Sequence, residues 1–286
     1  MVSALKKSRA GVKPLKVLKT VLRWAFNIVI ALIFFIPFYW MVITSLKTLG
    51  QTLATPPTFW VSDPQWQNYP EVFTKVDVWG ELKNSLIVTA GTLVCQCITV
   101  IPAAYAFARY EFKGSKILFG ITLATMMIPS QLIFLPVYLM FSSWGMINTY
   151  WSLILPSASS AFAIFMLRQS FKQVSEELLE AARLDKAGEF KIIWKIMLPL
   201  ARPTVVTLAM LTFISVWNDY FWPLVMTTKE TVRTLPVGIA SLQMTESGIN
   251  YNIMMAGNVI LVIPVLIVFF FAQKQIIKAF TYTGVK

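Results

Sequence analysis

The sequence predicts an all-α integral membrane protein with six transmembrane helices, and three observations carry that prediction. Of 286 residues, 57% are hydrophobic and only 13% are charged. The mean hydropathy of +0.66 lies outside the range of soluble globular domains. Uncharged apolar runs of roughly the twenty residues needed to cross a bilayer recur along the chain. The basic residues fall in alternate connections. Twenty of the 25 Lys and Arg lie before Trp24, between 109 and 116, between 168 and 202, and after 272, against five elsewhere. Cytoplasmic loops carry this excess of positive charge, so both termini and the 175–203 segment are expected on the cytoplasmic side.

In chain order, residues 1–23 form a basic N-terminal segment and 24–45 the first span. That run is too long for a signal-peptide core and has no small-residue exit, so it is expected to be retained. Residues 46–84 form a polar, Pro- and aromatic-rich connection expected outside the cell. Residues 85–272 hold five further spans, near 86–107, 117–141, 150–167, 204–226 and 253–272, and 273–286 form a cytoplasmic tail. Pro37, Pro102, Pro129, Pro136, Pro156, Pro223 and Pro264 fall in or beside these spans. Each proline frees a carbonyl that neighbours or water must satisfy, so kinked, packed helices are expected.

Composition excludes several kinds of chemistry. The net charge of +12 follows the spans rather than forming a nucleic-acid face. Histidine is absent, so there is no imidazole base or His metal ligand. Cys95 and Cys97, two apart in an apolar run, point in different directions and read as small apolar fillers. No GxxxxGK[ST] phosphate loop occurs, so no ATP site of that type is expected in this chain.

One polar island interrupts the apolar chain, SEELLEAARLDKAGEFKIIWKIMLPLARP from Ser175 to Pro203. Ser175 before Glu176 and Glu177 suits a helix start, with a capping hydroxyl and carboxylates near the positive end of the dipole. Leu178, Leu179 and Ala182 follow at helical spacing, Gly188 offers a turn, and a second short helix carries Ile192, Ile193 and Ile196 up to Pro199. Spacing alone fits either a helix–turn–helix elbow or a solvated helix lying along the bilayer surface. Asp219, in SVWNDYFWPLVMT, is the sole ionisable residue within an expected span. Burying it in hydrocarbon costs roughly 2.5–3.5 kcal/mol, so it should face protein or water. Asn218 and Asp219 suit a translocation path or a subunit contact, or a hydrogen-bonded cap near Pro223. Trp217, Tyr220 and Trp222 suit either stacking on a ligand ring or anchoring at the membrane interface.

The island resembles the EAA loop of importer-type ATP-binding-cassette (ABC) permeases, which reads Glu-Ala-Ala, three residues, Gly, nine residues, Ile-x-Leu-Pro. Glu180-Ala181-Ala182 and Ile196-Met197-Leu198-Pro199 stand in that register, whereas Lys186 occupies the glycine position and Gly188 comes two places later. PQWQNYPEVF with NSLIVTAGTLV from Asn84, NDYFWPL and TLPVGIASLQ are also similar to sugar-type permeases. The resemblance spans roughly residues 20–286.

It implies a type I ABC importer permease fold with a cytoplasmic coupling helix. It also implies a heterodimer with a sister permease, two ATP-binding subunits that use ATP and Mg, an extracytoplasmic solute-binding protein and a sugar substrate, with no cofactor or metal on this chain. Leu178, Leu179, Ala181, Ala182 and Ile192 would be packing contacts with an ATPase, Glu180 a polar anchor and Gly188 part of the turn. Ile196, Leu198 and Pro199 would complete the motif, and the loop of residues 227–252 would meet the binding protein. A glycerol-phosphate permease is the nearest alternative. An ion-coupled carrier would want several intramembrane ionisable groups.

Overall fold

The computed structural model describes residues 14–243 and 250–281, with side chains described between 18 and 277. The first thirteen residues, the last five and 244–249 lie outside it, and with them part of the basic N-terminal segment, part of the tail and part of the 227–252 loop. Among the described residues the chain is helical, without a strand.

The first helix, α1 (Pro14–Ser45), starts ten residues ahead of the expected span, so residues 14–23 continue the helix. The connection after it is not a plain loop. It holds α2 (Leu49–Leu53) and α3 (Asn68–Lys75). Asn68 is buried, donates to Ser45 O (2.8 Å) and Lys47 O (2.9 Å), and accepts from Asn252 (3.0 Å). Lys47 is 2% exposed, donates to Thr58 O at 2.6 Å and lies over the Trp40 ring, and burial pushes its ammonium pKa down.

The second span is α4 (Val78–Arg109). It begins well before Leu86 because Asp77 caps it, its carboxylate accepting from Gly80 N (3.0 Å). The next three expected spans are all broken. α5 (Ser115–Thr125) and α6 (Ser130–Ser143) meet at 96° just before Pro129. α7 (Tyr150–Ile154), continued by a 3₁₀ turn over Leu155–Ser157, meets α8 (Ala161–Lys172) at 46°. The island forms α9 (Glu176–Leu184), α10 (Glu189–Ile192), a π turn over Ile193–Met197 and α11 (Leu198–Leu200). It then bends by 85° into α12 (Arg202–Trp217). The helix α12 therefore ends at Trp217, and α13 (Phe221–Met226) is a separate helix within the expected fifth span. After α14 (Leu235–Ser241), α15 (Tyr251–Thr281) crosses as one long helix. Among the described residues, three helices are long and apolar enough to cross a membrane, or up to six spans if each bent pair is one.

α4 packs along α8, α12 packs on α15, and α1 lies against α15. Three buried clusters result, and α4 supplies side chains to each. Val100, Ile101, Ala104 and Tyr105 join one end, Val88 the middle and Val78 the other end. Trp217, 1% exposed, donates from its indole to Leu261 O (3.0 Å) beside the Pro264 interruption, which places a donor where α15 is weakened. At Gly91, α4 comes so near α7 that an added Cβ would lie 2.6 Å from Ile154 Cδ1. Gly91→Val is expected to overpack this contact at a cost of about 1–3 kcal/mol. The check is the thermal midpoint of the detergent-purified protein, with Gly91→Ala falling between wild type and valine.

Candidate functional site: an elbow at one end of the bundle

The two short helices of the island form the elbow, and the turn between them follows from hydrogen bonding at the end of α9. Asp185 N bonds Ala181 O, Lys186 N bonds Arg183 O (2.9 Å) and Ala187 N bonds Ala182 O (3.0 Å). This pair of reversed bonds is a Schellman closure, which needs a left-handed residue just past the helix. Lys186 is that residue, at φ 58°. Gly188, expected to make the turn, is extended at φ −69° and opens α10, a conformation open to any residue. Ser175 stands at the start of α9 as expected, but its hydroxyl makes no capping bond. Glu176 and Glu177 do occupy the first turn.

The elbow is fastened to the bundle by groups that sequence spacing does not connect. Arg109, the last residue of α4, donates to Phe171 O and Val174 O where the chain leaves α8, and pairs with Glu176 at 2.8 Å. Tyr105, one turn earlier, donates to the Glu189 carboxylate. Arg183 lies 3.3 Å from both Glu176 and Glu189 and so links the two arms. Exposed pairs of this kind contribute about 0–1 kcal/mol each. The Arg109 side chain is only 8% exposed, so its bonds matter more.

Beneath these polar ties, Leu179, Ile192 and Met197 are fully buried against Val100, Ala104, Leu167 and Phe171. The resemblance assigns Leu179 and Ile192 to a partner contact, but burial makes them unavailable for one. Their spacing fits both roles because the apolar face of a helix packs equally well on its own chain. Of the remaining motif residues, Leu178, Glu180 and Ala181 are exposed, Ala182 is half-buried, Ile196 and Leu198 are half-buried against the core, and Pro199 is exposed. Sequence reading misses three exposed apolar side chains, Leu184 (84%), Phe190 (75%) and Trp194 (45%). Large apolar groups inside a polar island are the signal that could have found them.

The second set of expected residues lies elsewhere, between α12 and α13. Asp219 is not inside a helix. Its carboxylate accepts from Trp222 N (3.3 Å) at the start of α13, and Asn218 donates to Ile214 O (2.8 Å) at the end of α12. Both are local hydrogen bonds to the helix ends at the break. Trp222 packs edge-on against Phe134 (5.5 Å), while Tyr220 is exposed. No group of three or more metal-ligating side chains occurs among the described residues.

These features describe a multi-pass helical membrane bundle carrying a fastened elbow with exposed apolar side chains. Residues 100–282 match the family described as binding-protein-dependent transport system inner membrane component, and the chain belongs to that family. It is 35% identical over 244 residues to the arabinooligosaccharides transport system permease protein of Halalkalibacterium halodurans, covering 85% of this chain and 86% of that one. It is 31% identical over 246 residues to the lactose transport system permease protein of Rhizobium radiobacter, covering 85% and 88%. Among solved structures, a bacterial ABC transporter involved in the import of the acidic polysaccharide alginate superposes at a TM-score of 0.77 and 25% identity, covering 90% of this chain and 96% of that one. The fold is that of a type I ABC importer permease, and the chain is a non-enzymatic membrane component.

The fastening can be tested at two residues. Arg109→Ala is expected to cost about 1.5–3 kcal/mol, the range for hydrogen bonds to charged groups, and to speed proteolytic cutting between 172 and 188 in the purified protein. Lys186→Gly removes a left-handed penalty of about 1–2 kcal/mol and adds about 0.5–1 kcal/mol of chain entropy, so it is expected to leave the melting midpoint level or slightly higher. Lys186→Ile should lower that midpoint.

Proposed function

We propose that this chain is a permease subunit of an ATP-driven, binding-protein-dependent sugar importer in the cell membrane, working as a heterodimer with a sister permease. Both termini and the elbow face the cytoplasm, where two ATP-binding subunits use ATP and Mg. A solute-binding protein docks on the opposite side against the 227–252 loop. The chain itself binds no cofactor. The family, the oligosaccharide relatives and the charge asymmetry of the connections support this reading.

The observation that carries it is the elbow tip. Leu184, Phe190 and Trp194 stand exposed on a segment whose surface also carries Glu, Lys, Arg and Asp. Such a group costs free energy in water and is retained where a partner covers it. Glu180 and Ala181 flank the patch as a polar anchor and a close-packing surface. Closure of the ATPase pair on ATP carries the elbow with it. Because Leu179 and Ile192 weld the elbow to α4 and α8, the movement passes to the spans as a rigid body. Asn218, Asp219, Tyr220 and Trp222 are assigned to the far end of the path or to the subunit contact.

Phe190→Asp changes an exposed side chain, so the chain should still fold. In the full transporter it is expected to lose ATPase subunits on co-purification and to cut ATP-dependent sugar uptake about tenfold or more, the effect of removing roughly 1.4 kcal/mol or more from an interface anchor. Wild-type uptake and full subunit retention in that variant would overturn the assignment of the elbow. A carrier acting alone would instead transport sugar without any ATPase subunit.

A further inference from the structure

The break between α7 and α8 leaves a polar cavity near the middle of the bundle. It has a volume of about 330 Å³ and lies between α4, the break and α12. Its lining includes Gln96, Ser157, Ser159, Ser160, Thr212 and Ser215 together with Phe162 and Leu211. Gln96 stands 18 residues from the start of α4 and 13 from its end (96 − 78 and 109 − 96), near the mid-depth of that helix.

Irregular backbone at membrane depth survives only where protein or a water-filled space satisfies it. Here the chain does both. Gln96 donates to Ser157 O (2.9 Å) and accepts from Thr212 (2.9 Å), while Thr99 donates to Ala158 O (2.7 Å). The Ser160 hydroxyl caps α8 by accepting from Ala163 N. With those carbonyls occupied, the hydroxyls of Ser157, Ser159 and Ser215 have no partner among the described residues, and Ser159 and Ser215 are exposed.

We infer that this cavity is a saccharide-binding station on the translocation path, and that it takes a neutral sugar. This rests on the importer reading above. Three observations set the ligand class. The free hydroxyls can each donate and accept, which matches the hydroxyls of a sugar ring. Phe162 offers a flat apolar surface for the C–H face of the same ring, and it is 42% exposed. No charged side chain lines the cavity. An acidic sugar or a phosphate ester would therefore find no counter-charge on this chain, and taking an unpaired anion out of water is costly. The volume sits at the low end of small-molecule sites, room for a short piece of a saccharide rather than a long chain. Spans that break near mid-depth commonly build the substrate site of transporters, and this break is of that kind.

The test uses the complete transporter, with its partner subunits and binding protein, in liposomes. ATP-driven uptake is measured for a panel of neutral di- and trisaccharides and for a uronate trisaccharide. Ser159→Leu combined with Ser215→Leu fills the cavity, with co-purification of the partner subunits as the check on folding. Loss of one or two hydrogen bonds at about 1 kcal/mol each predicts a fall in neutral-sugar uptake of roughly tenfold. Separately, Ser159→Cys and Ser215→Cys, each in a Cys95→Ala/Cys97→Ala background, are expected to react with a membrane-impermeant thiol reagent and to be shielded by the transported sugar.

If the wild-type complex moves no saccharide, the importer reading itself fails. Where it moves neutral sugar but the filled variant keeps uptake within about twofold of wild type, less than the loss of a single hydrogen bond, the cavity is not on the path. Thiols that stay unreactive or unshielded exclude the cavity equally. Transport of the uronate alone would overturn the neutral-sugar assignment and leave sugar import standing.

Discussion

Arg109 ends α4 by donating to two carbonyls at the end of α8 and pairing with Glu176 of α9, and most of what the elbow can do depends on that arrangement. One planar guanidinium serves three helices, which an ammonium could not do in the same geometry. Tyr105 repeats the tie one turn earlier through Glu189. Below both lies apolar packing, with Leu179 and Ile192 contributing about 1.5–3 kcal/mol each by burial. Sliding the elbow on α4 would break these ties and open a cavity at once. Elbow and α4 therefore behave as one body.

The opposite end of α4 is fixed just as closely, by different chemistry. Asn84 donates to Thr231 O (3.1 Å) and Arg233 O (2.8 Å), while its own carbonyl accepts from Tyr150 (2.6 Å). Leu235 N donates to the Ser85 hydroxyl (2.9 Å). Between Glu81 and Arg109 the helix rises about 42 Å at 1.5 Å per residue. One continuous element thus holds the loop before α14 at one end and the elbow at the other. Its interior Pro102 is the weak point of that element, and it lies between the Gln96 cavity and the Tyr105 tie.

Fold class and the position of the elbow can be read in the sequence, because both rest on signals that are local or additive. Hydropathy sums along the chain, charge asymmetry sums over loops, and the Glu-Ala-Ala and Ile-x-Leu-Pro ends lie within twenty residues of each other. The break in α5–α6 cannot be read so well, since an apolar composition (Met126, Met127, Ile128) continues through it and only the backbone turns. The α12–α13 break carries Asn218 and Asp219, yet the apolar runs on either side read as one span. Asp219 illustrates the cost of that. Counted as a charge inside a helical span, it lies in the break between α12 and α13, where its carboxylate accepts from Trp222 N in the first turn of α13. The inward and outward faces of α9 and α10 are equally ambiguous from sequence. Leu178 and Leu179 are adjacent and equally apolar, yet one is 43% exposed and the other 0%. Only the position of Phe171, Tyr105 and Ala104 decides which of them turns inward.

Lys186 shows how a departure from a pattern can leave the geometry intact. A Schellman turn asks for φ > 0, and glycine meets that demand without steric cost, but a lysine can be held there if the surrounding bonds are strong enough. At this elbow they are: two backbone bonds close the turn, Ala187 packs against the core, and Arg183 bridges the arms on the outside. The loop at the other end of α4 makes the reverse point. Gly238 there is an ordinary helical residue, yet any side chain would overlap the carboxylate of Glu81, itself 4% exposed and 4.0 Å from Arg233. A side chain at Gly238 would require the buried Glu81 carboxyl to move out of its place. The glycine that the backbone could replace is thus the one in the elbow, and the one it could not replace is needed for space rather than for conformation.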